Sequence, residues 1–402
     1  MRHPKPNWFC YKLAQAVSWF VATFVFKRKF LRNEIRGKNG PFVVIANHEA
    51  AWDFVNLIGA RTRPMTFVIS KSFYSSLPIQ SFLEKLGVIP KQQFQTSTDD
   101  LKKIRAVIQA GEPVAIYPAG LMCEDGLSTP IPGATCKLLK WLGVDVYMAK
   151  TQGTYFAMPK WTKGFRPGRT TLDVYKLFCA EELENMELRA IRQRMEDALL
   201  FDAYREQEQL LVKYKKGNDV RGLENVLYMC PHCGQEFSVA VSQKDTLTCQ
   251  SCGYSLRSDA YGFLHKTSQV GQEMRYVSDW SRHIFGAVKE NLAKGEASVL
   301  RAGTAIHMVD PKRNKYVPAG EGMLTLNEKH FTIEGTIYGE QVCIKIPVER
   351  FPTLPFSPGK HLEKQDGKLI YRCVLNDGRQ VMKFINMVKA FYELKSNTPV
   401  PV

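Results

Sequence analysis

The first half of the chain alternates short apolar runs with stretches of helical periodicity. A helical pattern from about Thr98 to Ala110 lies between two of these runs. Strands that alternate with helices predict an α/β domain, a layered sheet with flanking helices. The runs that predict buried strands are PFVVIA (41–46), TFVIS (66–70), PVAIY (113–117) and LDVYKLF (172–178).

A 19-residue apolar run extends from Trp8 to Phe26, interrupted by Lys12, Gln15, Ser18 and Thr23. As a helix it is about 28 Å long, close to the thickness of a bilayer core. The first three of these polar residues recur every three positions and mark one narrow stripe. The run fits a membrane-spanning helix, a helix lying in the membrane interface or a buried core helix.

Both flanks of this run are basic, whereas a spanning helix usually has its excess of Lys and Arg at one end. No A-x-A-like cleavage site follows, so a signal peptide is not expected. A polar stripe, basic flanks and the aromatic anchors Trp8 and Trp19 favour a helix in the interface. We predict a monotopic anchor over residues 1–36 on the cytoplasmic face, with a true span as the alternative. The flanking basic residues are Arg2, His3, Lys5, Lys27, Arg28, Lys29 and Arg32.

The second half contains a helical stretch and then a β-rich region. Residues 180–215 contain neither Pro nor Gly and predict one or two helices that close the first domain. From residue 297, short β-like runs predict several antiparallel strands, and residues 387–394 predict a closing helix. This order resembles a PH- or GRAM-like barrel, with a small β-sandwich as the alternative. The runs are SVLRA, KYVPAGEGMLTLN, HFTIEGTIYG, QVCIKIPV, KLIYRCVLN and RQVMKFI.

Composition narrows the class of partner. The 402 residues are 45% hydrophobic and 23% charged, which is typical of a folded chain of several domains. Fifty-five Lys and Arg against 39 Asp and Glu give a net charge of +16, which favours anionic partners such as phospholipid headgroups, nucleic acid or phosphorylated substrates. Ten cysteines are too few for a disulfide scaffold and predict reduced thiols.

The segment Asn47-His48-Glu49-Ala50-Ala51-Trp52-Asp53 follows the first predicted strand. His48 and Asp53 are five positions apart, which places them on different faces of a regular helix. If His48 lies in the turn and Asp53 on the next helix, the carboxylate reaches back to one ring nitrogen. The other nitrogen is then a general base, as in a Ser-His-Asp arrangement whose hydroxyl comes from the substrate. A hydrogen-bonded His beside a capping residue is the structural alternative.

The order of motifs resembles the glycerolipid acyltransferase family, that of the 1-acylglycerol-3-phosphate acyltransferases. Asn47-His48-x4-Asp53 after a strand resembles the first block of that family. The resemblance covers about residues 37–180 and implies an acyltransferase fold and activity. The matching segments that follow in order are Lys71, Leu77-Pro78, Leu86-Gly87-Val88-Ile89, the run from Gly111 to Pro118, Pro132-Gly133-Ala134 and Leu138-Leu139.

Two blocks depart from the family pattern. The third block of the family reads roughly Pro-Glu-Gly-Thr-Arg, and residues 118–122 here read Pro-Ala-Gly-Leu-Met. The family's second-block Arg corresponds to Gln93, and Lys91 is the nearest basic residue. Lys does not reproduce the bidentate phosphate contacts of Arg, so a lysophosphatidate acceptor is in question. Glu124 and Asp125 either replace the missing carboxylate or form a turn. The predicted substrate-binding residues are Asn47, Lys91, Pro118, Ala119 and Gly120.

The resemblance implies a mechanism with His48 and Asp53 as the catalytic residues. His48 Nε2 removes the proton from the acceptor hydroxyl as it attacks an acyl thioester, and Asp53 steadies the imidazolium. Backbone N–H groups near Pro118–Leu121 are candidates for stabilising the oxyanion. The donor is acyl-CoA or an acyl carrier protein thioester, the acceptor a membrane lysolipid, and the step needs no metal.

Two CxxC pairs, each followed by Gly, lie 15 residues apart. Cys-x2-Cys-x15-Cys-x2-Cys is the spacing of a zinc ribbon, in which two knuckles present four thiolates to one ion. Four protein ligands leave no open position, so a structural zinc is predicted, and His232 is taken as a bystander. The predicted ligands are Cys230, Cys233, Cys249 and Cys252.

These patterns predict an anchoring helix (1–36), an acyltransferase domain with its long C-terminal helix (37–222), a zinc ribbon (226–262) and a PH/GRAM-like β domain (275–398). The favoured function is a membrane-associated acyltransferase of phospholipid biosynthesis that acylates a hydroxyl of a lysophospholipid or related lipid. The alternative is a non-catalytic lipid-binding or scaffold protein on the same fold. A nucleic-acid binder is disfavoured, because residues 230–252 contain a single Lys or Arg, Lys244.

Overall fold

The apolar runs of the first half become strands of one seven-stranded sheet in the computed structural model. The structure describes residues 5–93, 97–295, 299–310, 312–313, 315–367 and 369–396. The strands are β1 Lys29–Asn33, β2 Val43–Ala46, β3 Thr66–Ser70, β4 Ile89–Lys91, β5 Val114–Ile116, β6 Val146–Gln152 and β7 Thr171–Phe178. Their order is β1-β7-β6-β2-β5-β3-β4, and every neighbouring pair is parallel except β6 and β7.

All four strands predicted in this half are confirmed, and β1, β4 and β6 were not predicted. β1 and β4 lie at the two edges of the sheet, where polar residues and Pro90 are tolerated. β6 pairs with the central strand β2, but its apolar run is only four residues long and is followed by the polar residues Lys150, Thr151 and Gln152, so the sequence did not predict it as a strand.

Helices cover both faces of this sheet, which confirms the layered α/β class. Val43 and Ile45 of β2 lie in a core with Ile104, Leu139 and Ile191, whereas Val44 and Ala46 lie in a second core with Leu57. A parallel strand buried on both faces requires a continuous apolar run, as β2 has. The helices are α1 Trp8–Phe24, α2 Asp53–Ile58, α3 Lys71–Ser76, α4 Gln80–Lys85, α5 Thr98–Gln109, α6 Ala134–Leu142, α7 Thr154–Ala157, α8 Ala180–Asn185, α9 Leu188–Leu199 and α10 Ala203–Leu210.

The region 180–215 contains three helices, where one or two were predicted. Met186 and Leu200 have extended backbone conformations and therefore end α8 and α9. The Asp202 side chain then accepts from the backbone N–H groups of Tyr204 and Arg205 and caps α10. A composition without Pro or Gly thus did not reveal the breaks.

The helix predicted near the N-terminus is α1, and its polar stripe faces the protein. Lys12 Nζ donates to the Thr62 carbonyl at 2.8 Å and Gln15 Nε2 to the Arg61 carbonyl at 2.7 Å, and Ser18 is buried. The opposite face is apolar and exposed: Trp8, Phe9, Leu13, Val17, Trp19, Phe20 and Phe24 are each more than half exposed. Among the described residues, no helix combines the length and apolarity needed to cross a membrane.

The chain divides into two compact units. The first consists of Met1–Cys123, Ser128–Pro159 and Gly164–Lys215, and the second of Glu124–Leu127, Lys160–Lys163 and Lys216–Val402. The predicted anchor shares the first unit with most of the predicted acyltransferase segment (37–222), whereas residues 124–127, 160–163 and 216–222 of that segment belong to the second unit, with the ribbon and the β domain.

The second unit contains two antiparallel sheets, of which the larger lies in the region from residue 297 onward, where antiparallel strands were predicted. The four-stranded sheet has the order β11-β10-β9-β8, with β8 Val239–Gln243, β9 Thr246–Cys249, β10 Ser255–Ser258 and β11 Leu264–Lys266. The strands of the seven-stranded sheet are β12 Val299–Asp310, β13 Lys315–Asn327, β14 His330–Ile337, β15 Glu340–Pro347, β16 Phe356–Ser357, β17 His361–Asp366 and β18 Leu369–Leu375. Their order is β15-β14-β13-β12-β18-β17-β16. Two longer helices, α11 Val277–Ala293 and α12 Gln380–Ser396, complete the unit.

One predicted strand of this region is wrong. The run RQVMKFI belongs to α12, which begins at Gln380, seven residues before the predicted helix. Its buried residues Val381, Met382, Phe384, Ile385 and Val388 follow helical rather than alternating spacing. The likeness of the β region to a PH- or GRAM-like barrel stays a prediction.

Candidate active site and metal centre

The first candidate site lies at the carboxyl edge of the seven-stranded α/β sheet. Ile45 of β2 is in register with Ile116 of β5, and Ala46 with Ala149 of β6, so these parallel strands end at the same edge. The chain leaves β2 at Asn47 and enters α2 at Asp53. Open α/β sheets bind ligands outside the carboxyl ends of their strands, which makes this turn a candidate site.

His48 and Asp53 are paired as the sequence predicted. His48 Nδ1 lies 3.1 Å from Asp53 Oδ2, and that oxygen also accepts from the backbone N–H of Glu49 at 2.7 Å and of Ala50 at 2.9 Å. The Asp53 side chain is fully buried, while that of His48 is 19% exposed. When Nδ1 donates its proton to the carboxylate, Nε2 carries the lone pair that a general base needs.

Asn47 holds this turn to the neighbouring strand. Its side chain donates to the Thr151 carbonyl at 2.7 Å and accepts from the Thr151 N–H at 2.8 Å, which extends the pairing of β2 with β6. The residue is buried, and both the donor and the acceptor of its side-chain amide are used in this pairing. The structure therefore places Asn47 in the framework of the site, and its contact with substrate stays a prediction.

Glu49 is a fully buried carboxyl that the sequence analysis did not single out. It accepts from Thr154 Oγ1 at 3.0 Å and from the Tyr155 N–H at 2.9 Å, and so ties the turn to the start of α7. Burial raises the pKa of Glu49 well above its ordinary value, and the charges of Glu206 and Asp53 act in the same direction. Its partners are more than 100 residues away in sequence, so no local pattern predicted them.

The predicted substrate loop, Pro118, Ala119 and Gly120, follows β5 and lies near the same turn. The Gly120 N–H donates to the Tyr117 carbonyl at 3.0 Å, and the side-chain amide of Gln93 donates to the Gly120 carbonyl. The Cys123 N–H donates to the His48 carbonyl at 3.3 Å. The N–H of Gly120 is therefore already used within the loop.

The ring of Tyr117 contacts the ring of His48. The sequence analysis had placed Tyr117 at the end of a predicted strand and had given it no role in the site. The centroids of the two rings are 4.6 Å apart, and their planes are inclined by 38°. Burial, and then the negative charge of Asp53, raise the pKa of Tyr117 well above its ordinary value, so the phenol stays neutral.

Lys91, the predicted cation of the acceptor site, lies at the end of the edge strand β4. β4 is three strands from β2, about 14 Å at the usual spacing of strands. Its Nζ donates to the Gln92 carbonyl at 3.2 Å, and burial lowers the pKa of Lys91. The sheet does not itself bring Lys91 to His48.

Glu124 and Asp125 lie in the second unit, where Glu124 is buried among lysines. Glu124 Oε1 is 3.1 Å from Lys389 Nζ, and Oε2 is 3.8 Å from Lys160 Nζ. The charges of Lys389 and Lys160 outweigh burial and lower the pKa of Glu124, whereas burial raises that of Asp125 to about 6. Glu124 is thus the centre of a buried ion cluster, which gives it a partner other than an acceptor lipid.

The four predicted cysteines form a compact cluster in the second unit. Their sulfur atoms all lie within 4.8 Å of one another, with 3.7 Å between those of Cys230 and Cys252 and between those of Cys233 and Cys249. A tetrahedral ion with zinc–sulfur bonds of about 2.3 Å places sulfur atoms about 3.8 Å apart. The donor set and its dimensions therefore fit a metal ion.

The cluster is built from two tight turns. Gly234 and Gly253 follow the CxxC pairs with φ of 71° and 75°, a left-handed conformation that favours glycine. Their N–H groups donate to the carbonyls of Cys230 and Cys249, both at 3.0 Å. The glycine after each pair, visible in the sequence, is what closes each knuckle.

Residues 26–151 of the chain match the family model described as Acyltransferase. The His48–Asp53 pair lies within the matched residues, in agreement with the resemblance predicted from the sequence. No curated protein matches the chain.

Two solved structures are similar to parts of the chain. One is the crystal structure of the 1-acyl-sn-glycerophosphate (LPA) acyltransferase PlsC from Thermotoga maritima, at 17% identity and a TM-score of 0.41, covering 50% of this chain and 78% of that one. The other is the Ran binding domain of Nup2 from Ashbya gossypii, at 15% identity and a TM-score of 0.20, covering 24% of this chain and 99% of that one.

Proposed function

We propose that this protein is a membrane-associated acyltransferase that moves a fatty acyl group from a thioester to a hydroxyl of a lysophospholipid or related lipid. The observation that carries the proposal is the His48 Nδ1–Asp53 Oδ2 pair at 3.1 Å, within the residues that match the acyltransferase family. The buried carboxylate fixes the tautomer of a partly exposed imidazole, which is what a general base requires.

In the proposed reaction His48 Nε2 takes the proton from the acceptor hydroxyl as its oxygen attacks the thioester carbonyl. The carbonyl oxygen becomes an oxyanion, and Asp53 stabilises the imidazolium. The oxyanion then collapses, the carbon–sulfur bond breaks, and the leaving thiolate takes the proton from Nε2. The products are the ester and the free thiol, and the base returns to its starting state.

The oxyanion requires N–H donors near the substrate loop. The N–H of Gly120 is used by Tyr117, whereas those of Ala119 and Leu121 make no hydrogen bond in the part of the chain that the structure describes. We assign these two groups as the candidate donors. Because they belong to the backbone, the loss of the family's third-block side chains does not remove them.

The exposed apolar face of α1 supports attachment to a membrane surface. Its stripe of Lys12, Gln15 and Ser18 is turned toward the protein, so most of the side chains that remain outside are large and apolar. Such an apolar face is unusual on a protein surface in water and is typical of helices that bind at the interface of a bilayer. Exposed Lys5, Lys27 and Lys29 near its ends favour anionic lipid on the cytoplasmic face.

The four cysteines are proposed to hold one structural zinc ion. All four coordination positions are taken by thiolates, so the ion has no open position for substrate. The N–H of the Trp280 indole donates to the Met229 carbonyl at 2.9 Å, and Lys383 Nζ lies 2.6 Å from Glu236 Oε2. These contacts join the ribbon to α11 and α12, so the ion stabilises more than its own loop.

Thioester consumption by purified, zinc-loaded protein in detergent tests the proposal. Acyl-CoA and acyl carrier protein thioesters are offered with a panel of lysophospholipids and glycolipids, beside His48→Ala. Turnover with a defined acceptor that the variant loses supports the proposal and identifies donor and acceptor. His283→Ala, a histidine of α11, serves as the matched control and is expected to keep full turnover.

Absence of turnover with every pair, from a folded protein that still binds lipid vesicles, contradicts the proposal and favours the non-catalytic lipid-binding scaffold. Attachment is tested separately by flotation with anionic vesicles. Phe20→Ser on α1 is expected to weaken binding, whereas Trp141→Ser, which removes a comparably exposed aromatic residue from α6, leaves it unchanged.

A further inference from the structure

The geometry points to Tyr117 as a positioning residue for the proposed base: its ring supports the His48 imidazole and stabilises the imidazolium through its π face. This inference rests on the proposed function, because it concerns the same site. Neither the family match nor the paired-residue motif assigns a role to this position.

The topology of the sheet places the two residues together. Ile45 and Ile116 are in register on adjacent parallel strands, His48 follows three residues after the first and Tyr117 directly after the second. Both side chains therefore emerge at the same edge. The Gly120 N–H bond to the Tyr117 carbonyl and the Cys123 N–H bond to the His48 carbonyl further tie the two backbones into one arrangement.

The geometry of the rings suits an interaction between a cation and a π system. A centroid separation of 4.6 Å is within the roughly 6 Å over which such interactions are significant, and a tilt of 38° is closer to a stacked than to a perpendicular arrangement of the two rings. Asp53 already holds Nδ1, so the imidazole is contacted by a carboxylate at one edge and by an aromatic ring. These two contacts leave Nε2 to the substrate.

The charged groups near the turn that contains His48 include three carboxylates and one lysine. Asp53 faces it from α2, Glu49 adjoins it in the turn, and Glu206 of α10 interacts with Glu49. Lys150 of β6 lies 3.3 Å from that Glu206 carboxylate. Because none of these groups changes in a Tyr117 variant, the effect of the ring is separable from theirs.

The test compares Tyr117→Leu, which removes the ring, with Tyr117→Phe, which keeps it. Ring protons of His48, assigned by their loss in His48→Ala, are followed by NMR as pH is varied. We expect Leu to move the midpoint of the His48 titration to lower pH by a few tenths of a unit and Phe to restore it. The same substitution at Tyr175 of β7 is the matched control and leaves the midpoint unchanged.

The catalytic arm measures kcat/KM against pH. Tyr117→Leu is expected to lower it about two- to fivefold near neutral pH and to shift its acid limb with the NMR midpoint, since a cation–π contact contributes about 0.5–1 kcal/mol. Tyr117→Phe keeps the wild-type profile.

An unchanged midpoint in Tyr117→Leu overturns the inference, and so does a Tyr117→Phe variant that behaves like Leu, because the hydroxyl rather than the ring would then be responsible. The NMR arm needs no turnover. Failure of the proposed acyl transfer is therefore distinguishable from failure of this inference.

Discussion

The two candidate sites of this protein are assembled in opposite ways. The four cysteines lie within 23 residues of chain, from Cys230 to Cys252, and two local turns bring them together. The candidate catalytic pair, His48 and Asp53, is five residues apart, but the turn that contains it is held by contacts with residues 117–123 and 151–155. A candidate metal site built from one short segment can be predicted from the spacing of its cysteines in the sequence. A candidate active site at a sheet edge depends in addition on which strands are neighbours in the sheet.

The largest effect is expected at the locally built site. Removing zinc by chelation, or one ligand by Cys252→Ala, should unfold the ribbon, because structural zinc contributes on the order of 10 kcal/mol to such folds. Hydrogen exchange in β8–β11 and metal content measure this loss. His232→Ala in the same knuckle keeps one zinc per chain. Retention of both zinc and protection by Cys252→Ala would show that these thiolates are not the ligands.

The catalytic turn is tested next by Asp53→Asn. The amide preserves shape but stabilises the wrong imidazole tautomer, so kcat/KM should fall about 10²–10⁴-fold. The matched control is Asp173→Asn on β7, which removes a carboxylate paired with Arg32 of β1 and should change kcat/KM little. A fall of less than tenfold in Asp53→Asn speaks against the paired base.

The ion cluster of the second unit sharpens the comparison, because it is also assembled from distant segments. Lys389→Met leaves Glu124 buried with only Lys160 beside it and should lower the free energy of unfolding by about 3–5 kcal/mol. Lys289→Met breaks a pair with Glu393 whose lysine is 46% exposed, and should change it by less than about 1 kcal/mol. Urea unfolding measures both. Equal effects would mean that Glu124 does not depend on its buried partner.

The smallest effect is expected from His361 of β17. Burial, and then Arg372, Lys360, Lys160 and His307, lower the pKa of His361 to about 3, and Glu363, 3.6 Å from its Nε2, is already paired with Arg372 at 2.7 Å. The folded state therefore holds this ring neutral. Its contribution to stability is complete above about pH 6.5 and is lost as pH falls toward 3.

Between pH 7 and pH 5 this loss amounts to about 2 kcal/mol. His361→Gln should remove that part of the pH dependence, measured by hydrogen exchange of β17 and β18 at both pH values. His265→Gln, an exposed ring on β11, should leave the pH dependence as it is. An unaltered slope in His361→Gln would contradict the neutral buried ring.

The sequence predicted the elements better than the contacts between them. The strands at β2, β3, β5 and β7 followed from apolar runs, and β2, which is covered on both faces, is apolar at every position. The run RQVMKFI was misread as a strand since seven residues are too few to separate helical from alternating spacing. Its continuation through Met387, Val388, Ala390 and Phe391, which are buried without alternating, contained the missing signal.

The polar stripe of α1 shows the same limit. Its residues were identified correctly, but periodicity does not say which side of a helix faces the protein. Only the carbonyls of Arg61 and Thr62, which accept from Gln15 and Lys12, turned the stripe inward and the aromatic face outward.

The sequence by itself determined the layered α/β class, the cluster of four cysteines and the His48–Asp53 pair, because each depends on residues that are close in the chain. Tertiary structure decided that Glu49 bonds to the start of α7, that the ring of Tyr117 contacts His48, that Glu124 pairs with Lys389, and that α1 presents its apolar side. These contacts join residues that are brought together by strand order and helix packing. Their energy comes from burial and partners, which no single stretch of sequence contains.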